Sequence, residues 1–110
     1  MTKLKTKTPL IAWAPPSMVY PAGIPFRVRV EKLEEGNVGE MDGAARTISL
    51  SSLPEHKPLL KETLLHEYIH AILYVSGISQ ILEDRVEEGI VIALECQLSR
   101  MVNFDKLGER

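Results

Sequence analysis

The sequence predicts an α+β domain, a small antiparallel β-sheet followed by two long packed helices. Three observations predict it. Apolar and charged residues alternate from Phe26 to Leu33. Asp42-Gly43, a two-residue hairpin signal, separates two further short extended runs. No Pro or Gly then interrupts Leu59 to Ser76, which is rich in the helix formers Leu and Ala.

The elements follow in order. Residues 1–25 form a lead-in, polar at first and then irregular, with five of the seven prolines between Pro9 and Pro25. Trp13, Val19 and Tyr20 are its candidates for contact with the core. The main domain is residues 26–110. Phe26, Val28, Val30 and Leu33 against Arg27, Arg29, Glu31 and Lys32 read as a half-buried strand. Glu34-Glu35-Gly36-Asn37 is a turn. Val38 to Met41 is a short second strand, and Ala44 to Ser51 a third that pairs antiparallel with it. Ser52-Leu53-Pro54-Glu55 has capping-box spacing. The first long helix starts near Pro58, where proline is tolerated, and ends at Gly77 in a left-handed cap. Its apolar residues (Leu60, Leu64, Leu65, Ile69, Ala71, Ile72, Leu73, Val75) lie nearly all round, so it should be the buried central helix. Ser79 is placed to cap a second helix from about Gln80 to Val102, with an apolar stripe of Val86, Ile90, Val91, Leu94, Leu98 and Met101.

Composition narrows the function. The chain has 110 residues, enough for one small domain, with ordinary apolar and charged fractions of 45% and 25%. A formal charge of −2 offers no basic face for nucleic acid. Lys3, Lys5 and Lys7 read as a solvated tail. The single cysteine, Cys96, allows no intrachain disulfide, and a reducing, cytoplasmic compartment is expected. It lies in an apolar helical pattern and reads as a small core residue. The apolar run Leu10 to Ala14 is too short for a signal or a membrane span.

The chemistry is concentrated in His66-Glu67-Tyr68-Ile69-His70. Residues four apart on a helix are stacked neighbours, so two imidazoles can converge on one ion. Glu67, beside the first histidine, suits a general base acting on water at that ion. By composition this pattern arises by chance in roughly a few such chains in a thousand. Two of the three histidines flanking a glutamate on an apolar helix fit a metal site better than a core ornament, because an unpartnered buried carboxylate is costly.

Catalytic zinc usually takes a third protein ligand. The spacing H-E-x-x-H-x-x-G-x-x-H would need Gly at 73 and His at 76, where this chain has Leu73 and Ser76, so the metzincin pattern is excluded. No histidine follows His70. The third ligand is therefore sought among Glu83, Asp84, Glu87 and Glu88. Helix phase puts Glu87 first, on the face with Ile90, Val91, Leu94 and Leu98, and Glu88 next, on a face with Val91, Ile92, Glu95 and Ser99. His56, in a loop, is a minor candidate.

The H-E-x-x-H helix, its glycine cap and the glutamate-bearing helix that follows resemble a minimal gluzincin metallopeptidase. In order and size the chain is similar to ImmA/IrrE-type metallopeptidases and related small phage-encoded proteins. The resemblance covers about residues 26–101. It implies a zincin-like domain that binds Zn2+ through His66, His70 and Glu87 (Glu88 as alternate), with Glu67 as general base in peptide hydrolysis. It also implies that Ala44 to Ser51 receives an extended peptide or protein substrate. Tyr68, Tyr74 and Arg46 are candidates to assist the oxyanion. The alternative is a catalytically inactive zincin-like module that binds a peptide or protein partner. Neither reading involves nucleic acid or a membrane.

Overall fold

The computed structural model describes residues 13–110. The Lys3, Lys5, Lys7 cluster and most of the Leu10 to Ala14 run lie outside them. The main elements are β1 (Met18–Val19), β2 (Phe26–Glu31), β3 (Gly39–Asp42), β4 (Thr47–Ser51), α1 (Leu60–Val75) and α2 (Asp84–Leu98). The class is α+β, a four-stranded sheet with two packed helices. Among the described residues no helix is long and apolar enough to cross a membrane.

The strand order is β1-β2-β4-β3. As expected, β3 and β4 pair antiparallel, with Gly39 opposite Leu50 and Asp42 opposite Thr47. The sheet as a whole is mixed rather than antiparallel, because β4 lies between β3 and β2 and runs parallel to β2. Burial explains the order. Ile48 and Leu50 are fully buried and belong inside the sheet. β3 carries the exposed charges Glu40 and Asp42, which suit an edge. Residues 32–38 readily cross the two strand spacings, about 4.8 Å each, that this order requires.

The β3–β4 turn is longer than the expected two residues. Its loop is residues 43–46, where Asp42 Oδ1 accepts the Ala45 N–H at 3.0 Å and Arg46 takes φ 53°. Gly43 does not adopt the positive φ of a tight type I′ turn. It is needed for closeness instead: a Cβ there would lie 2.4 Å from the Tyr74 ring. β4 accordingly begins at Thr47, not Ala44.

Part of the lead-in belongs to the fold. β1 pairs antiparallel with β2, and Val19 is fully buried. Trp13 packs on the same cluster and meets Phe104 edge-on at 6.3 Å, while the Lys61 ammonium lies 5.8 Å from each ring. One cation on α1 thus joins the start and end of the described chain.

A 3-10 turn, Pro54–Leu59, leads into α1. The expected capping box does not form; Leu53 is the cap residue, and no side chain bonds to the turn's N-terminus. The neighbouring Ser51 hydroxyl accepts the Leu53 N–H at 3.2 Å and pairs with His56 Nδ1 at 2.7 Å. At the far end Gly77 takes φ 79°, the left-handed cap expected. α1 is buried on two sides. Leu60, Leu64 and Ala71 face the sheet with Phe26, Val28, Ile48 and Leu50. Leu65, Ile69 and Leu73 form a second cluster with Val91, joined by Leu98, Val102 and Phe104.

α2 differs most from expectation. A 3-10 turn, Ile78–Ile81, is followed by extended backbone at Leu82 and Glu83. The helix then starts at Asp84, with the Glu83 carbonyl accepting from the N–H groups of Val86 and Glu87 at 2.9 Å. Ser79 does not cap it. The expected apolar stripe is split: Val91 is fully buried, but Val86, Ile90, Leu94 and Met101 are exposed. Cys96 is exposed too, not a core residue.

Leu64 is fully buried at the junction of α1 and the sheet. Leu64→Ala should cost about 2–5 kcal/mol of folding free energy. Urea unfolding of the two proteins checks this; a loss below about 1 kcal/mol would contradict the packing described.

Candidate metal centre

His66 and His70 stand one turn apart on α1, ring centroids 5.0 Å apart. Leu65 and Ile69, on the neighbouring face of the same helix, press against Val91 and hold α2 beside the two rings. α1 and α2 run antiparallel there, so the earlier histidine meets the later glutamate.

Three carboxylates of α2 reach the pair. Glu88 Oε1 lies 2.8 Å from His66 Nε2 and 3.5 Å from His70 Nε2. Glu87 Oε2 is 2.6 Å from His70 Nδ1. Glu95 Oε1 is 2.8 Å from His66 Nδ1. Each ring therefore has one nitrogen turned to its own carboxylate and one turned to Glu88. One donor atom each from His66, His70 and Glu88 can be grouped within 4.8 Å of one another, which fits a three-ligand cation site. Glu87, ranked first from the sequence, sits on the opposite nitrogen of His70. Glu83 and Asp84 stay at the exposed start of α2. His56 is engaged with Ser51, away from the centre.

Glu95 is the residue sequence reasoning missed. Its spacing of seven from Glu88 places both on one helix face, two turns apart, and that was the signal available.

Glu67 is only 9% exposed. It lies under the sheet edge. A Cβ on Gly39 would be 2.5 Å from Thr63 Cγ2 and 3.4 Å from Glu67 Oε2, so glycine lets β3 approach α1 at this point. A groove of about 360 Å³ opens here, lined by residues 36–39 of the loop and β3 and by Leu59, Glu62, Thr63, His66, Glu67 and Glu95. Tyr68, Tyr74 and Arg46 do not line it: Tyr68 packs on the core, and the other two border a separate hollow with Gly43. β4 cannot take an added strand, because β2 and β3 occupy both its sides. The sheet edge beside the groove is β3. Val38 bonds inward to Ser51, so by antiparallel alternation Gly39 and Met41 turn their N–H and C=O groups outward.

The electrostatics follow from the packing. Burial pushes the Glu67 carboxyl above the usual range; His66 and His70 oppose this, and Glu88 and Glu40 reinforce it. Burial works to lower the His66 pKa, but the hydrogen bond to Glu95 and the charges of Glu67, Glu88 and Glu95 outweigh it and hold the imidazole above its ordinary value. Glu87 also meets a burial penalty. Its bond to His70, the nearby Ser79 hydroxyl and the charge of His70 win, so its carboxyl lies below the usual range. The Ser79 hydroxyl approaches without meeting hydrogen-bond geometry.

The raised Glu67 pKa makes its ionisation costly in the metal-free fold. Well below pH 4.5 the group is protonated in both folded and unfolded chains and contributes nothing. As pH rises, the unfolded chain loses the proton first, so stability falls until the folded group has ionised as well. Metal-free Glu67→Gln should therefore melt higher than the wild type at pH 7, and the gap should close at pH 3. Thermal melts with chelator present check this; a gap of the same size at both pH values would contradict it.

Comparisons with protein-family models, with curated proteins and with solved structures give no match to this chain.

Proposed function

We propose that this protein is a zinc-dependent hydrolase acting on peptides, a minimal relative of the gluzincin metallopeptidases that its H-E-x-x-H helix resembles. The observation that carries the proposal is the convergence of His66, His70 and Glu88 donor atoms within 4.8 Å, with the buried carboxylate of Glu67 beside them. Two imidazoles and one carboxylate suit zinc among the common ions. Glu88, rather than Glu87, is the third ligand in this proposal, because its oxygen faces the Nε2 atoms of both rings.

The chain's own groups divide the work. His66, His70 and Glu88 hold the ion. When bound, zinc supplies Lewis acidity, which acidifies water and polarises a carbonyl. Glu67 takes the proton of the attacking water and delivers it to the leaving amine. A carboxylate beside the ion can perform both halves of that transfer, accepting the proton from water and returning it to the amine. The outward N–H and C=O groups of Gly39 and Met41 can pair with an extended substrate and lay it along the groove.

The test is hydrolysis of an unfolded protein by the purified chain. Activity should vanish with chelator and return with zinc. Glu67→Gln should keep its zinc and lose at least about a hundredfold in rate. Glu88→Ala should lose zinc and activity together. Undiminished turnover by Glu67→Gln would sink the mechanism. Partner binding by that variant, with no hydrolysis by the wild type, would favour a binding module instead.

A further inference from the structure

We infer that Glu87 and Glu95 are positioning residues, each fixing one histidine so that both present Nε2 to the same point. The inference rests on the metal site proposed above and concerns side chains outside its ligand set.

A neutral imidazole carries one proton on either nitrogen, and the hydrogen bond made by one nitrogen decides what the other can do. Glu87 Oε2 stands 2.6 Å from His70 Nδ1, and Glu95 Oε1 stands 2.8 Å from His66 Nδ1. A carboxylate accepts and does not donate, so each Nδ1 must carry the proton. In a neutral ring Nε2 then keeps the lone pair that a cation needs, and the Glu88 oxygen standing 2.8 Å from His66 Nε2 marks where that lone pair would be used. Both rings are also held against rotation, because turning either one would exchange a charged hydrogen bond for none. The two Nε2 atoms lie 2.8 and 3.5 Å from a single oxygen of Glu88. That is the convergence expected when both tautomers and both ring planes are set from behind.

The assignment is pairwise and one helix supplies all of it. Glu88 faces the shared point, Glu87 backs His70 and Glu95 backs His66. The Glu87 side chain is 13% exposed and that of Glu95 25%, so neither bond is freely traded for water. Lone surface carboxylates without such partners would not be arranged in this register.

The experiment measures zinc affinity by competition with a chromophoric chelator, together with 15N-edited NMR of the ring N–H groups in zinc-loaded protein. The proteins are the wild type, Glu87→Ala, Glu87→Gln, Glu95→Ala and Glu95→Gln, with circular dichroism confirming the fold of each. Each alanine variant should bind zinc about 10–100-fold more weakly. Each glutamine variant should recover part of the loss, since its carbonyl still accepts the N–H. The NMR readout is specific to the pair: Glu87→Ala should lose the slowly exchanging His70 Nδ1–H and keep that of His66, and Glu95→Ala should do the reverse. Wild-type affinity in both alanine variants would overturn the inference and leave the metal site standing. Equal loss of both ring signals in either variant would also overturn it, pointing to general loosening. A wild type that takes no zinc would remove the metal site and this inference together. Zinc binding with the expected pairwise losses, but no hydrolysis, would support the inference and count against the hydrolase alone.

Discussion

The packing of α2 on α1 through its acidic face is the constraint on which the other features depend. A helix carrying Val86, Ile90, Leu94 and Met101 would ordinarily bury that stripe, yet all four are exposed. The face turned inward carries Glu87, Glu88 and Glu95 around Val91 and Leu98. Burying carboxylates is costly unless they are partnered. Glu87 and Glu95 each find an imidazole nitrogen, at 2.6 and 2.8 Å, and the half-exposed Glu88 reaches His66 Nε2 at 2.8 Å. The histidines of α1 thus set the rotation of α2 about its own axis. The apolar cluster of Leu65, Ile69, Leu73 and Val91 supplies the adhesion beneath them.

The sheet contributes by what it leaves open. β4 is the most buried strand and takes the interior position, which leaves the shorter, charged β3 at the edge. Gly39 then lets that edge come down onto Thr63 and Glu67. The approach covers the Glu67 carboxylate enough to raise its pKa and leaves a groove beside it. A strand order with β4 at the edge would carry Gly39 away from α1. The environment of Glu67 is therefore set by sheet topology as much as by its own helix.

Much of this was legible in the sequence, and the failures have physical causes. α1, its Gly77 cap and the histidine pair were readable because they rest on local rules: helix propensity, left-handed glycine and a spacing of four. The β3–β4 pairing was readable from alternation and a turn signal between the two runs. The parallel pairing of β2 with β4 was not, because strand order is decided by burial across the whole sheet and adjacent strands in sequence are only the default. The turn at Gly43 was misjudged because the glycine answers to the Tyr74 ring, a residue thirty-one positions away. Helix phase misled in the same manner. Hydrophobic periodicity turned Ile90 and Leu94 inward with Glu87; Glu87 does face α1, but Ile90 and Leu94 are exposed, because the packed face is the one that satisfies charges, which a hydrophobic count cannot see.

The charge balance of the centre links the metal-free fold to the proposed function. Glu67, Glu87, Glu88 and Glu95 surround two imidazoles. The neighbouring carboxylates favour a proton on His66, and burial favours one on Glu67. A divalent cation held by His66, His70 and Glu88 would bring positive charge to the place that a proton on His66 Nε2 takes. The occupants are exclusive, because a nitrogen lone pair that binds a proton cannot bind a metal. On the proposed reading, the carboxylates behind the rings then act in two senses. They make the imidazoles better ligands by holding Nδ1–H, and Glu95 also makes His66 a better base, so that a proton competes more strongly there as pH falls. On that reading Glu88 and Glu95 serve His66 with or without the ion: they help hold the ring for a cation, and they partner its charge when a proton takes the cation's place.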